Sequence, residues 1–167
     1  MGTQAGFSAG ASRTPGLKLK VLVGSGDRIA LLTLPFLAVG LVLNLAFPSW
    51  FAVGGPSTPL RVLSVCVLIP GVVIWAWSVA LILRHVPRGE LITSGPYAVV
   101  KHPLYTDVAL LVLPWAGFLL DSWLGAVLGV VLYIASRRFA PAEEAALART
   151  FGAAWDDYCD TVRLPWV

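Results

Sequence analysis

Charge is what this chain has least of. Asp, Glu, Lys and Arg together make up 13% of its 167 residues, against roughly 25% in a soluble domain. So few charges cannot cover a water-facing surface, which excludes an ordinary soluble globule. Cysteine is almost as scarce. Cys66 lies in an apolar run and Cys159 near the C-terminus, which excludes a disulfide framework. Neither has a ligand-spaced partner, so no metal site is expected. The net charge is a modest +3, and nucleic acid is not an expected partner.

What the chain has instead is apolar length. Hydrophobic residues make up 57% of it, in runs that point to an integral membrane protein. Residues 1–27 are rich in Gly, Ala, Ser and Thr and read as a mobile N-terminal tail. Residues 28–167 read as one domain. Spans are predicted at Ile29–Phe47, Leu60–Leu83, Pro103–Leu120 and Trp123–Ser136. Pro48, Gly54, Gly55, Pro56 and Pro59 mark the first loop, Pro70-Gly71 a kink, and Asp121-Ser122 a tight turn. The last two spans are short for a hydrocarbon core about 30 Å thick.

Basic residues are distributed unevenly between the loops. Arg13, Lys18, Lys20 and Arg28 precede the first span; Arg84, Arg88 and Lys101 lie between the second and third; Arg137, Arg138, Arg149 and Arg163 follow the fourth. By the positive-inside rule both termini and the loop between spans two and three are cytoplasmic. After Pro141, Leu147, Phe151, Trp155 and Tyr158 recur at helical spacing. They predict an amphipathic cytoplasmic helix that starts at Pro141, with Glu143 and Glu144 in its first turn. The expected fold class is thus all-α integral membrane, about four transmembrane helices plus that C-terminal helix. Gly125 and Gly129 form a G-x-x-x-G pair, which is either a close-packing surface, with a homodimer as one use of it, or a coincidence of composition.

The one long polar interruption is Gly89–Tyr105, GELITSGPYAVVKHPLY. Ser94-Gly95-Pro96 is a turn signal. Pro103 suits the first turn of a helix and pushes His102 out of helical geometry. Free amides at such a helix start attract an anion, and Lys101 and His102 stand beside it. Tyr97 and Tyr105 offer aromatic faces to a positive centre. A zwitterion with a carboxylate and a sulfonium would be well served. The same Lys-His-Pro also reads as ordinary interfacial capping, and Glu143-Glu144 as plain helix-start acids.

LITSGPYAVVKHPLY, followed by EEAALARTFGAAWDDYCDTVRLP, resembles the superfamily of isoprenylcysteine carboxyl methyltransferases and phospholipid methyltransferases. The likeness covers Gly89 to Pro165, about the last half of the chain. It implies S-adenosylmethionine as cofactor. The positions that would hold it are Gly89, Glu90, Leu91, Ile92, Tyr97, His102, Pro103, Leu104, Tyr105 and Glu143. It implies a lipophilic methyl acceptor drawn from the bilayer, oriented by Arg138 or by Glu144, the latter also the candidate base. The chain departs from the family pattern at three places. Phe139 stands where an Arg is usual, Lys101 where Arg is usual, and Asp107 where Gly is usual. The composition, heavy in Ala, Val and Gly, suggests a bacterial inner membrane. Two alternatives remain open. One is an NADPH-dependent membrane reductase similar to the sterol reductases, faintly matched by Trp155, Tyr158 and Cys159 but lacking their Arg-Asp signature. The other is a non-catalytic membrane scaffold.

Overall fold

The structure is a computed structural model that describes residues 15–55 and 57–164, with side chains from residue 31 onward. Part of the expected tail (1–14), Pro56 and Pro165 lie outside the described residues. The elements are α1 (Pro15–Ala46), α2 (Pro48–Phe51), α3 (Thr58–His85), α4 (Pro103–Asp107), α5 (Leu113–Leu119), α6 (Leu124–Phe151) and α7 (Ala153–Thr161). A π-helical turn, Val108–Val112, joins α4 to α5, so that Pro103–Leu119 is one apolar helix. Among the described residues there is no strand, only an isolated parallel bridge between Val100 and Leu164.

Two helical stretches are long and apolar enough to cross a membrane, Thr58–Arg88 and Leu124–Phe151. Shorter apolar helices run at Leu31–Ala46 and Pro103–Leu119. Only 11% of the apolar window in Thr58–Arg88 is buried inside the protein. A core helix of a soluble protein would be mostly covered. Here Val62, Ile69, Val73 and Trp77 stand exposed, which is stable only in an apolar solvent. Helix α1 begins at Pro15, so residues 15–27 are helical and continuous with the first apolar segment rather than separate from it.

Small residues decide which helix faces meet. Lipid is as apolar as a leucine side chain, so helices in it gain contact chiefly by close approach. Ser64, Gly71 and Ser78 are buried on α3 at seven-residue intervals. Gly71 backs onto Leu111 and Val112 of the π turn. Gly125 lies against the Leu113 carbonyl and Gly117, and Gly129 against the Ala109 carbonyl. The G-x-x-x-G pair is therefore occupied within the chain, packing α6 on the α5 hairpin partner. Asp121 turns that hairpin with a φ of 58°. Its Oδ1 accepts the Val53 and Gly55 amides at 3.1 and 3.0 Å. The Trp123 indole donates to the Trp50 carbonyl at 2.9 Å, and the first loop is clasped to the α5–α6 turn.

One boundary differs from the sequence expectation. No helix starts at Pro141: α6 runs straight through it to Phe151. The proline forfeits one backbone hydrogen bond. The Ala-, Glu- and Leu-rich residues around it are strong helix formers and carry the helix on. The break comes at Gly152, whose φ of 53° and ψ of −128° suit a residue without Cβ. The apolar face foreseen over 147–158 exists all the same, bent across that glycine. Trp155, Tyr158 and Val162 form a buried cluster with Leu147 and Phe151 packed on it.

A methyl group at Gly125 has nowhere to go, because the facing atoms are backbone. Gly125→Ala is expected to cost about 1–3 kcal/mol, read as a lower thermal midpoint in detergent. Val130→Ala, on the exposed side of the same helix, should stay within about 0.5 kcal/mol of wild type.

Candidate functional site

The polar stretch between α3 and α4 folds back over the end of the bundle. Gly89 ends the turn after α3 in the left-handed region, φ 68°, and the Glu90 amide donates to the His85 carbonyl at 3.2 Å. Gly95, φ 63°, opens a short turn over Gly95–Ala98. A Cβ there would press on Trp77 at 3.1 Å, so the loop sits close on α3 only because this residue is glycine. Pro103 is fully buried at the start of α4, and His102 before it has φ −124° and ψ 60°, as the proline requires.

These turns enclose a cavity of about 280 Å³. Its walls come from three parts of the chain. Ile82 and Leu83 come from the end of α3, and Val86 and Pro87 from the turn that follows it; Glu90, Leu91, Ile92, Tyr97, Lys101, His102, Leu104 and Tyr105 from the central stretch; Glu143, Leu147, Phe151, Trp155 and Tyr158 from the α6–α7 region. The lining is mostly apolar and aromatic, with a few polar groups, which is the usual make-up of a small-molecule site.

The C-terminal segment is latched over this cavity. The Tyr158 hydroxyl donates to the Tyr97 carbonyl at 2.8 Å. The Arg163 and Leu164 amides donate to Ala98 and Val99 at 3.4 and 2.9 Å. Lys101 Nζ lies 5.8 Å from the centre of the Trp155 ring, within cation–π range. Lys101 also pairs with Glu144 Oε2 at 3.2 Å, and His102 Nε2 with Glu144 Oε1 at 3.3 Å. The hydrogen bond from His102, then the charge of Lys101, hold Glu144 below the usual carboxylate range against the opposing effect of partial burial. Burial pushes Tyr97 well above the ordinary phenol range, helped by the Glu143 charge, and burial does the same to Tyr158. Both phenols are neutral at pH 7.

Of the residues expected to hold a cofactor, Glu90, Leu91, Ile92, Tyr97, His102, Leu104, Tyr105 and Glu143 line one cavity. Gly89 and Pro103 do not line it; they set the backbone on either side. The two residues expected to orient an acceptor are not in the wall. Arg138 is exposed. Glu144 instead ties down Lys101 and His102. Phe139 packs on the cluster of Ala109, Leu132 and Ala135. Sequence reasoning did not include the end of α3, nor Leu147, Phe151, Trp155 and Tyr158, as cavity wall. The helical spacing of the latter was visible but reads equally as a plain core face.

The sequence model of the isoprenylcysteine carboxyl methyltransferase (ICMT) family matches residues 60–149, more than half of the chain. The chain belongs to the ICMT family. The match spans α3, the central stretch, the hairpin and α6 through the Glu143-Glu144 pair, which is also the part that builds most of the cavity. As an ICMT-family chain it falls among membrane methyltransferases, in keeping with its all-helical, lipid-facing build. No curated protein and no solved structure matches it.

The Glu144 cluster has a pH signature. A carboxylate held low in the folded state adds stability that is fully present above its ordinary pKa and is lost as pH falls through the depressed value. Glu144→Gln is expected to lower stability by about 0.5–1 kcal/mol at neutral pH, the range of a partly exposed pair. The wild-type and variant midpoints should converge as acidification takes the pH below the ordinary carboxylate range.

Proposed function

We propose that this protein is an S-adenosylmethionine-dependent methyltransferase acting on a lipophilic acceptor at the membrane edge. The observation that carries this reading is the convergence of the central stretch, the α4 start and the Glu143 region on one cavity. The fit to the cofactor can be tested residue by residue. Its carboxylate needs hydrogen-bond donors, and Lys101 and His102 are in the wall. Its sulfonium needs aromatic faces, and Tyr97, Tyr105 and Trp155 provide them. Its amino group or ribose hydroxyls need an acceptor, and Glu143 is one. The remaining aliphatic wall suits the adenine.

Bound there, the cofactor would supply an electrophilic methyl group. The work left to the protein is alignment, since an in-line displacement needs no covalent enzyme intermediate. Glu144 serves that alignment by fixing Lys101 and His102 rather than by meeting the acceptor. The aliphatic end of α3 gives an acceptor from the bilayer an apolar route to the site. In this reading four helices cross a bacterial inner membrane and both termini and the cavity are cytoplasmic, as the Lys and Arg distribution supports. Glu143-Glu144, in place of an Arg-Asp signature, disfavours the reductase alternative.

Calorimetric titration of the detergent-purified protein tests the reading. S-adenosylmethionine should bind and NADPH should not. His102→Ala and Glu143→Ala should each weaken S-adenosylmethionine roughly 10- to 150-fold, the cost of a lost hydrogen bond to a charged group. Binding of NADPH alone, or undiminished affinity in both variants, would overturn it.

A further inference from the structure

The cavity has two unlike sides. On one, Leu83 and Pro87 are exposed where the lipid-facing surface of α3 ends. On the other, Trp155 and Tyr158 of α7 close it, 6% and 4% exposed. The outer face of α7 carries Asp156, Asp157 and Asp160, all exposed. Three carboxylates on one short helix belong in water, so α7 is the wall between the cavity and the aqueous compartment. A charged, nucleotide-derived cofactor comes from water. It cannot cross the aliphatic side without shedding its hydration, so its way in is through α7.

The attachment of α7 suits a wall that moves. The end of α3 and the start of α4 belong to the packed bundle. By contrast, α7 follows α6 across Gly152, where a side chain would touch nothing within 4 Å, so the backbone has room to turn. Past that glycine the segment is fastened to the central stretch. The Tyr158 hydroxyl donates to the Tyr97 carbonyl, Lys101 stands over the Trp155 ring, and the Arg163 and Leu164 amides donate to Ala98 and Val99. Its apolar side rests on Leu91, Leu147 and Phe151. These three also line the cavity, so a bound molecule would lie against the same surfaces.

Resting on the methyl-transfer reading above, we propose that residues 152–164 form a strap that swings about Gly152 to exchange the cofactor with water, and that Tyr158 is its latch. Closed, the strap lends Trp155 and Tyr158 to the cavity wall and keeps water out. Open, it parts the bridge between Val100 and Leu164 and turns the central stretch toward solvent. The bundle and α6 stay as they are.

The full-length protein in detergent tests this. Val100→Cys with Leu164→Cys, in a Cys66→Ala, Cys159→Ala background, sets two thiols across the bridge. Oxidation should lock the strap and slow both association and dissociation of S-adenosylmethionine at least about tenfold, read by stopped-flow tryptophan fluorescence; reduction should restore both. Tyr158→Phe should raise the two rates together, roughly 2- to 10-fold, the worth of one neutral hydrogen bond. A locked protein that exchanges the cofactor at its reduced rate would overturn the strap. So would a Tyr158→Phe variant in which dissociation alone rises, the mark of a lost ligand contact. Thiols that fail to join would count against it equally, since the closed bridge would then not form. Hydrogen exchange without any ligand separates the two claims. The Arg163 and Leu164 amides should exchange faster in Tyr158→Phe than in wild type, with those of residues 128–140 in α6 unchanged. If S-adenosylmethionine did not bind the wild type, the methyl-transfer reading would fall and these amides would still judge the strap: protection equal to that of α6 in both proteins would overturn it.

Discussion

The close approach of two backbones, α5 against α6, is the contact on which the rest of the molecule rests. In an apolar solvent there is little to gain from burying leucines, so helices associate by packing tightly and by pairing polar groups. Gly117, Gly125 and Gly129 remove the side chains that would hold these helices apart. The hairpin they make brings the start of α4 beside the middle of α6. Without that approach His102 and Glu144, forty-two residues apart in sequence, would not meet.

A second constraint shapes the site. Polar backbone outside a helix needs water or protein partners, so the non-helical stretch from Gly89 to Lys101 is confined to one end of the bundle. There the protein supplies its partners. Tyr158 reaches the Tyr97 carbonyl, and the chain end pairs with Val99. The result is a loop pinned from both sides over a mostly apolar cavity. Glu144 holds Lys101 and His102 of the wall in fixed positions, which is the pre-organisation that a positioning enzyme requires.

The opposite end of the molecule is fastened by different chemistry. Asp121 and Trp123 bind the first loop through backbone amides and a carbonyl. Tied at both ends, the bundle presents its exposed Leu, Val and Ile side chains to lipid and keeps its few polar groups inward. Asp107 is one of these, a carboxylate spent inside the bundle with no hydrogen-bond partner among the described residues.

Much of this was legible in the chain before its structure. Scarce charge and long apolar runs dictate helices in lipid, because only helices satisfy their own backbone there. Pro103 dictates the non-helical His102 by sterics local to one peptide, and Gly95-Pro96 dictates a turn. Such features depend on a few neighbouring residues and survive any fold. Pro141 misled because a proline weighs the same in sequence at a helix start or within a helix; the helix formers on both sides settled the matter, and Gly152 took the break. The role of Glu144 was not legible, since its partners come from the non-helical central stretch, forty-two and forty-three residues away. Nor was the use of Gly125 and Gly129, because a small-residue pair looks alike whether it faces its own chain or another. The sequence alone determined the solvent, the helices and the motif residues, through local sterics and composition. The tertiary structure decided which of those residues share a cavity, which one clasps the others, and which carboxylate is left without a partner, because each depends on distances between segments far apart in the chain.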